Sequence, residues 1–206
     1  MSAAPYLTFP ELNLPGVQHI FTLRSSLSAE PLTCRDALFA ADFPCDYLVQ
    51  AEQPHGSGIA HVTMEHAGCT IPHVDGLITN ELGLTLAIRT ADCGPLLLVD
   101  PVQCAIGLVH SGKKGTQAGI LSAAITSMTT AFQSDPATLI IVLAPCIRPP
   151  HYDLDFAGEI REQAHTSGVQ HYYDSALNTG ADLARFYSYR VEQGKTGRHY
   201  TALRLS

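Results

Sequence analysis

Residues 84–115 read L-T-L-A-I-R-T-A-D-C-G-P-L-L-L-V-D-P-V-Q-C-A-I-G-L-V-H-S-G-K-K-G. Leu84–Arg89 alternates loosely, whereas Pro95–Val99 and Ala105–Val109 are continuously apolar. Apolar runs this short, bounded by Gly and Pro, predict buried strands. Asp100-Pro101 is a turn signal between the last two, so they are expected to pair as a hairpin. Cys93 stands just before Gly94-Pro95, and His110 just before Ser111-Gly112. A reactive or metal-binding side chain at a strand end, next to a tight turn, sits on a rigid scaffold. The same positions also suit a small buried thiol and a hydrogen-bonded core imidazole.

Working outward, Gly115–Phe132 is predicted as the main helix, because Ile120, Leu121, Ala124, Ile125, Met128 and Phe132 recur at helical spacing. Phe156–His165 is a second helix and Arg35–Ala41 a weaker one. His19–Leu23, Asp46–Ala51, Leu77–Thr79, Leu139–Leu143 and Tyr172–Asp174 read as strands. Phe186–Val191 and Tyr200–Leu205 read as strand-like segments joined by the turn residues of Glu192–Gly197. Met1–Gly16 carries Pro5, Pro10 and Pro15 and reads as a tail or edge segment, so residues 1–17 precede the main body of one domain spanning 1–206.

Composition narrows the function classes. At 206 residues the chain can bury a substantial core, and 46% hydrophobic against 15% charged residues argues against disorder. The net charge is −7 and no basic cluster exceeds Lys113-Lys114, which disfavours a nucleic-acid-binding face. No run approaches the ~20 apolar residues of a membrane span. Six Cys without a C-x-x-C, and a start without a signal-peptide pattern, point to free thiols in a reducing, cytoplasmic setting. A monomer or small homo-oligomer is expected.

Two features carry chemistry. The loop from His110 to Gly115 leads from a buried strand into a helix start, where free N–H groups together with Lys113 and Lys114 favour an anion such as phosphate. Gly107 and Gly112-Lys113 nearly match a phosphate-binding loop, but Lys114 occupies the place of the magnesium-binding Ser/Thr. The second feature is the set His55, Cys93 and His110. Each ends a strand-like run beside a Gly turn, with His55 in Gln53-Pro54-His55-Gly56. If those ends converge, two imidazoles and a thiolate form a three-ligand site for zinc, or copper, with one position open. Cys93 as a nucleophile with a histidine base remains an alternative. His61, His66 and His73 read as ordinary packing or surface residues.

At these residues the chain resembles the family of laccase-like multicopper polyphenol oxidases, a family that also resembles purine nucleoside phosphorylases that deaminate adenosine. The resemblance rests on Gln53–Gly56, Asp75–Thr79, Thr90–Leu98 (T-A-D-C-G-P-L-L-L), His110–Gly115, Pro145-Cys146-Ile147 with Tyr152-Asp153, Tyr187–Arg190 and Thr196–Arg198. It implies an α+β fold, a layered sandwich of mixed sheets with flanking helices, in a group that includes cysteine-hydrolase-like toxins. It implies that His55, Cys93 and His110 bind zinc, and that Arg24 lies near bound phosphate or substrate. Lys113-Lys114 stand where the family usually has Trp-Arg, and its Asn-Leu segment is not recognisable between Ser25 and Asp46.

On that resemblance the expected function is a zinc-dependent enzyme of purine nucleosides, acting by phosphorolysis, adenosine deamination or both, with nucleoside and phosphate as its small-molecule partners. Asp92, next to Cys93, is a candidate for orienting that ligand; a turn-forming aspartate is the other reading. Copper-dependent phenol oxidation and a Cys-His hydrolase acting on cell-wall or amide substrates are the alternatives. No His-x-His pair occurs to build a copper cluster.

Overall fold

The computed structural model describes residues 6–24 and 32–206. Residues 1–5 of the expected edge segment, and 25–31 of the stretch lacking the Asn-Leu segment, lie outside them. In chain order the elements are β1 (Tyr6–Leu7), β2 (Val17–Thr22), α1 (Cys34–Ala40), β3 (Leu48–Ala51), β4 (Ile59–His61), β5 (Thr70–Ile71), β6 (Gly76–Thr79), β7 (Thr85–Thr90), β8 (Gly94–Asp100), β9 (Ala105–Ser111), α2 (Lys113–Gln117), α3 (Ile120–Phe132), β10 (Ile140–Leu143), α4 (Phe156–Thr166), β11 (His171–Asp174) and β12 (His199–Leu205). The strands form two mixed six-stranded sheets, one ordered β1-β2-β12-β7-β3-β5 and the other β11-β10-β8-β9-β6-β4.

The sheets stack face to face and helices cover both outer faces, which gives four layers. Leu97, Val99, Ile106 and Leu108 meet Phe21, Val49, Leu86 and Leu203 between the sheets. On the opposite face of β8 and β9, Leu96, Leu98 and Val109 pack against Ile120, Ala124, Met128 and Ile160 of α3 and α4. Helix α1 covers the outer face of the first sheet through Leu38, against Ile20, Ala87 and Ala202. Because β8 and β9 are covered on both faces, every residue in them is buried. Their period-2 alternation therefore separates two apolar environments rather than core from water.

The expected hairpin forms: β8 and β9 pair antiparallel, with Leu97 opposite Leu108, Pro95 opposite His110 and Gly94 opposite Ser111. Tyr6–Leu7 is the edge strand of the first sheet, antiparallel to β2. The helix expected over Gly115–Phe132 is instead two. Helix α2 already begins at Lys113, and α3 starts after Gly119, whose left-handed φ of 74° breaks the path. The apolar stripe from Ile120 to Phe132 is buried as its spacing requires.

A second expectation fails at Phe186–Val191, which turns rather than pairing as a strand. Its backbone groups are captured one by one by side chains, most of them distant in the chain. His199 Nε2 accepts from the Tyr187 N–H at 2.8 Å, Glu192 from Ser188 at 3.0 Å and Asp92 from Arg190 at 2.7 Å. Arg24 donates to the Phe186 carbonyl at 2.9 Å. With those groups satisfied there is nothing left to gain from a neighbouring strand. Strands β4 and β5, of three and two residues, were too short to carry a periodic signal.

Candidate metal centre

The chain crosses between the two sheets at one end of the sandwich, and the candidate site is built from those crossings. Cys93 lies in the three-residue link from β7 to β8. His55 lies in the link from β3 to β4, held at a left-handed φ of 68°. His110 is the next-to-last residue of β9, beside the start of β8 because of the hairpin register. One ligand atom from each of His55, Cys93 and His110 falls within 4.8 Å of the others.

A buried carboxylate underlies the group. Asp75, fully buried just before β6, accepts a hydrogen bond from His110 Nδ1 at 2.7 Å. It also accepts from the backbone N–H of His55 at 2.9 Å and of Gly56 at 2.7 Å. One side chain thus fixes the His55 loop and the His110 tautomer, leaving His110 Nε2 as the lone-pair nitrogen. Burial opposes the charge on Asp75, but the hydrogen bonds from His110 and Gly56 prevail and hold its carboxyl below the ordinary range.

Burial likewise raises the Cys93 thiol, yet hydrogen bonding and charge from His110 and His55 bring it down to about 7. Burial works against protonation of His110, and the Asp75 and Cys93 partners outweigh it, raising that imidazole to about 9. Thiolate and imidazolium thus favour each other, and His110 offers its Nε2 lone pair once that proton leaves, with Nδ1–H kept by Asp75. Gly112 makes room for this: a Cβ there would stand 2.7 Å from Cys93 Sγ and 3.5 Å from His55 Cδ2. Two nitrogens and one thiolate, the acid-locked histidine and the missing Cβ fit a tetrahedral ion with one position left open. Among the described residues no fourth His, Cys, Asp or Glu joins the group, and His73 is exposed beside Glu52.

The group faces a cleft of about 900 Å³. Tyr152, Phe156 and Tyr189 supply aromatic surface, and Arg89, Lys113, Arg190 and Arg198 supply positive charge. Gln53, at a left-handed φ of 68°, uses its side-chain amide as a surrogate strand. It donates to the Arg89 carbonyl at 2.7 Å and accepts from the Arg89 N–H at 2.9 Å, which fixes that wall.

The other sequence candidates divide. Lys113 lines the cleft, whereas Lys114 projects from the next position of α2 and is not part of the wall. Arg24 lies outside the wall as well. It is bound to Glu192 at 2.6 Å and stacked 4.4 Å over Tyr187, so it organises the 186–192 turns. Asp92 lines the cleft at a left-handed φ of 89°, and both its oxygens are engaged, one by Thr179 at 2.7 Å and one by the Arg190 N–H at 2.7 Å. It ties the crossing to the opposite wall. Sequence reasoning did not single out Asp75 for the site, although a lone Asp before an apolar strand was visible. It also missed Arg89, for which no local signal existed.

The family described as "Multi-copper polyphenol oxidoreductase laccase" matches this chain over residues 32–157 and 149–206. Purine nucleoside phosphorylase YlmD of Geobacillus stearothermophilus is 30% identical, with 76% of this chain and 71% of that one aligned. A purine nucleoside phosphorylase of Deinococcus radiodurans is 30% identical over 98% of this chain and 93% of its own length. The match to purine nucleoside phosphorylase SCO2081 of Streptomyces coelicolor, 34% identical, spans 57% of that relative. The crystal structure of YlmD from Geobacillus stearothermophilus superposes with a TM-score of 0.90 at 26% identity, covering 100% of this chain and 97% of that one.

Proposed function

The chain belongs to the multi-copper polyphenol oxidoreductase laccase family, and from that premise we propose that it is a cytoplasmic, zinc-dependent enzyme of purine nucleosides, acting by phosphorolysis of adenosine- or inosine-type substrates, by adenosine deamination, or both. The observation that carries this reading is the His55–Cys93–His110 group, backed by Asp75, at a cleft with aromatic and cationic walls. Among the described residues, no helix is long and apolar enough to cross a membrane.

His55, Cys93 and His110 would hold the ion, which supplies Lewis-acid chemistry at its open position. The rest is the work of the chain's own residues. Asp75 keeps the proton on His110 Nδ1 and so keeps Nε2 available. Tyr152, Phe156 and Tyr189 give the purine a surface to stack on. Lys113 attracts hydrogen phosphate, whose oxygen forms a bond to ribose C1′ as the bond from C1′ to the purine breaks, and the base leaves with the proton that the phosphate gives up. Asp92 is a positioning residue, holding the Arg190 segment against the site.

Copper in place of zinc draws on the same donor set. One three-donor group is, however, all that the described residues offer, which is too little for a multicopper cluster. The Cys-His hydrolase reading has one specific support, since Asp75, His110 and Cys93 stand in the order acid, histidine, thiol.

One set of measurements tests all three. The untagged protein is analysed for metal and assayed with adenosine and inosine, with and without phosphate. About one zinc per chain, with phosphate-dependent release of free base or conversion of adenosine to inosine, and loss of both in His110→Ala, is the expected result. Turnover that survives metal removal and vanishes in Cys93→Ser would replace the zinc reading with the hydrolase.

A further inference from the structure

The cleft wall contains two arginines, Arg89 and Arg198, that the anion loop does not include; Arg198 ends the Thr196–Arg198 segment of the resemblance, which implies no role for it. Strands β7 and β12 pair antiparallel with Tyr200 opposite Arg89 and His199 opposite Thr90. Arg198, just before β12, therefore lies two residues along from the partner of Arg89. Diagonal neighbours of this kind are within reach of each other's long side chains. Both residues line the cleft, and the charge of each favours the ionised form of the Tyr200 phenol against its burial.

Two like charges so placed normally share an acid. Among the described residues, neither Arg89 nor Arg198 forms an ion pair. Asp36, which also acts on Tyr200, is bound to the Thr33 hydroxyl at 2.6 Å. Among the described residues Asp92 is the one carboxylate of the cleft wall, and it is taken up by Thr179 and Arg190. Arg198 is held in place by the carbonyls of Thr196 at 3.2 Å and Gly197 at 2.9 Å, both on Nη1, and its guanidinium lies 5.7 Å from the Tyr189 ring centre. Nη2 and Nε have no partner among those bonds and remain available. Arg89 is fixed through its backbone by Gln53. The result is a pair of cations with spare donors, Arg198 held through its guanidinium and Arg89 through its backbone, in a chain whose net charge is −7.

We propose that Arg89 and Arg198 form a binding subsite for a phosphate dianion on the wall of the cleft. A guanidinium fork matches two phosphate oxygens, and two forks match the charge of one dianion. Lys113 is then an attracting charge at the rim rather than the phosphate clamp. The proposal rests on the nucleoside reading above only for the source of the phosphate, which is either free orthophosphate or the 5′-phosphate of a nucleotide.

Direct binding separates these. Orthophosphate and adenosine 5′-monophosphate are each titrated calorimetrically into the wild-type protein and into Arg89→Gln, Arg198→Gln, Arg198→Lys and the double Gln variant. Metal content and melting temperature are recorded for every variant. The expected result is weaker binding of at least one ligand by roughly ten-fold in each single Gln variant and about a hundred-fold in the double, with metal content unchanged. Arg198→Lys should fall in between, because it keeps the charge and loses the fork. Orthophosphate binding points to the co-substrate, and binding of the nucleotide only to a phosphorylated substrate; either supports the subsite. Wild-type affinity in the folded double variant, or no binding of either ligand to the wild type, would overturn it. Loss of phosphate binding in the variants of a protein without nucleoside turnover would overturn the proposed function and leave the subsite standing.

Discussion

The cleft has two walls of different construction. The β8–β9 hairpin is buried on both faces and held by a seven-pair register. The segment 175–198 has no helix or strand, only a bridge between Asn178 and Cys146. It is held by side chains from elsewhere: Arg148 through Leu177 and Asn178, Asp92 through Thr179 and Arg190, Arg24 through Phe186 and Glu192, and His199 through Tyr187. One wall is fixed by apolar packing, which the local sequence specifies. The other is fixed by polar bonds whose partners are far away in the chain. Cys93 and His110 stand at the end of the first wall, and Tyr189, Arg190 and Arg198 of the cleft lining belong to the second.

The largest test of that contrast is Leu97→Ala. Leu97 is fully buried between the sheets, so its truncation should cost roughly 2–5 kcal/mol in denaturant unfolding. A cost below about 1 kcal/mol would mean that the hairpin is not the rigid wall. Acid should act next, and on the other wall. Burial outweighs the hydrogen bonds and the charge of Glu192 and lowers His199 from 6.5 to about 4, and its neutral ring accepts from Tyr187 and donates to the Thr22 carbonyl. The unfolded chain therefore binds the extra proton between those values. Stability is full above about pH 6.5 and falls by roughly 3 kcal/mol as the pH drops towards 4. His19, also lowered by burial, pulls the same way. A stability profile that is flat over this window would contradict the buried, neutral His199.

Asp75→Asn sharpens the role of the rigid wall. The amide cannot hold His110 in one tautomer as the carboxylate does, and metal affinity should fall by about 10–100-fold, read by competition with a chelator. Unchanged affinity would show that the carboxylate is structural only. The smallest effect is expected for Arg24→Gln. Its pair with Glu192 is partly exposed, so stability should change by about 1 kcal/mol or less. Proteolysis within 185–198 should nevertheless quicken, because the bond to the Phe186 carbonyl goes with it. If the cleavage rate stays at the wild-type value, Arg24 does not organise that wall.

The same contrast explains what could be read in advance. The strands of the hairpin, the α3 stripe and α4 were legible because burial imposes a pattern that neighbouring residues share. Phe186–Val191 looked like a strand, because its side chains suit one, and no local feature showed that Asp92, Glu192 and His199 would take its N–H groups. The division of the Gly115–Phe132 helix turned on the backbone of Gly119. The motif residues His55, Cys93 and His110 were visible as candidates, and their convergence was not.

By itself, then, the sequence determined the buried strands, the two long helices and the residue types that can bind a metal, because hydrophobic period and turn residues act over short distances. Tertiary structure alone decided the rest. It brought His55, Cys93 and His110 within 4.8 Å by crossing the chain between sheets at one end. It set Asp75 beneath His110 through the pairing of β6 with β9, and Arg89 diagonal to Arg198 through the pairing of β7 with β12. Such juxtapositions depend on sheet order and register, which arise from packing across the whole chain and leave no local trace.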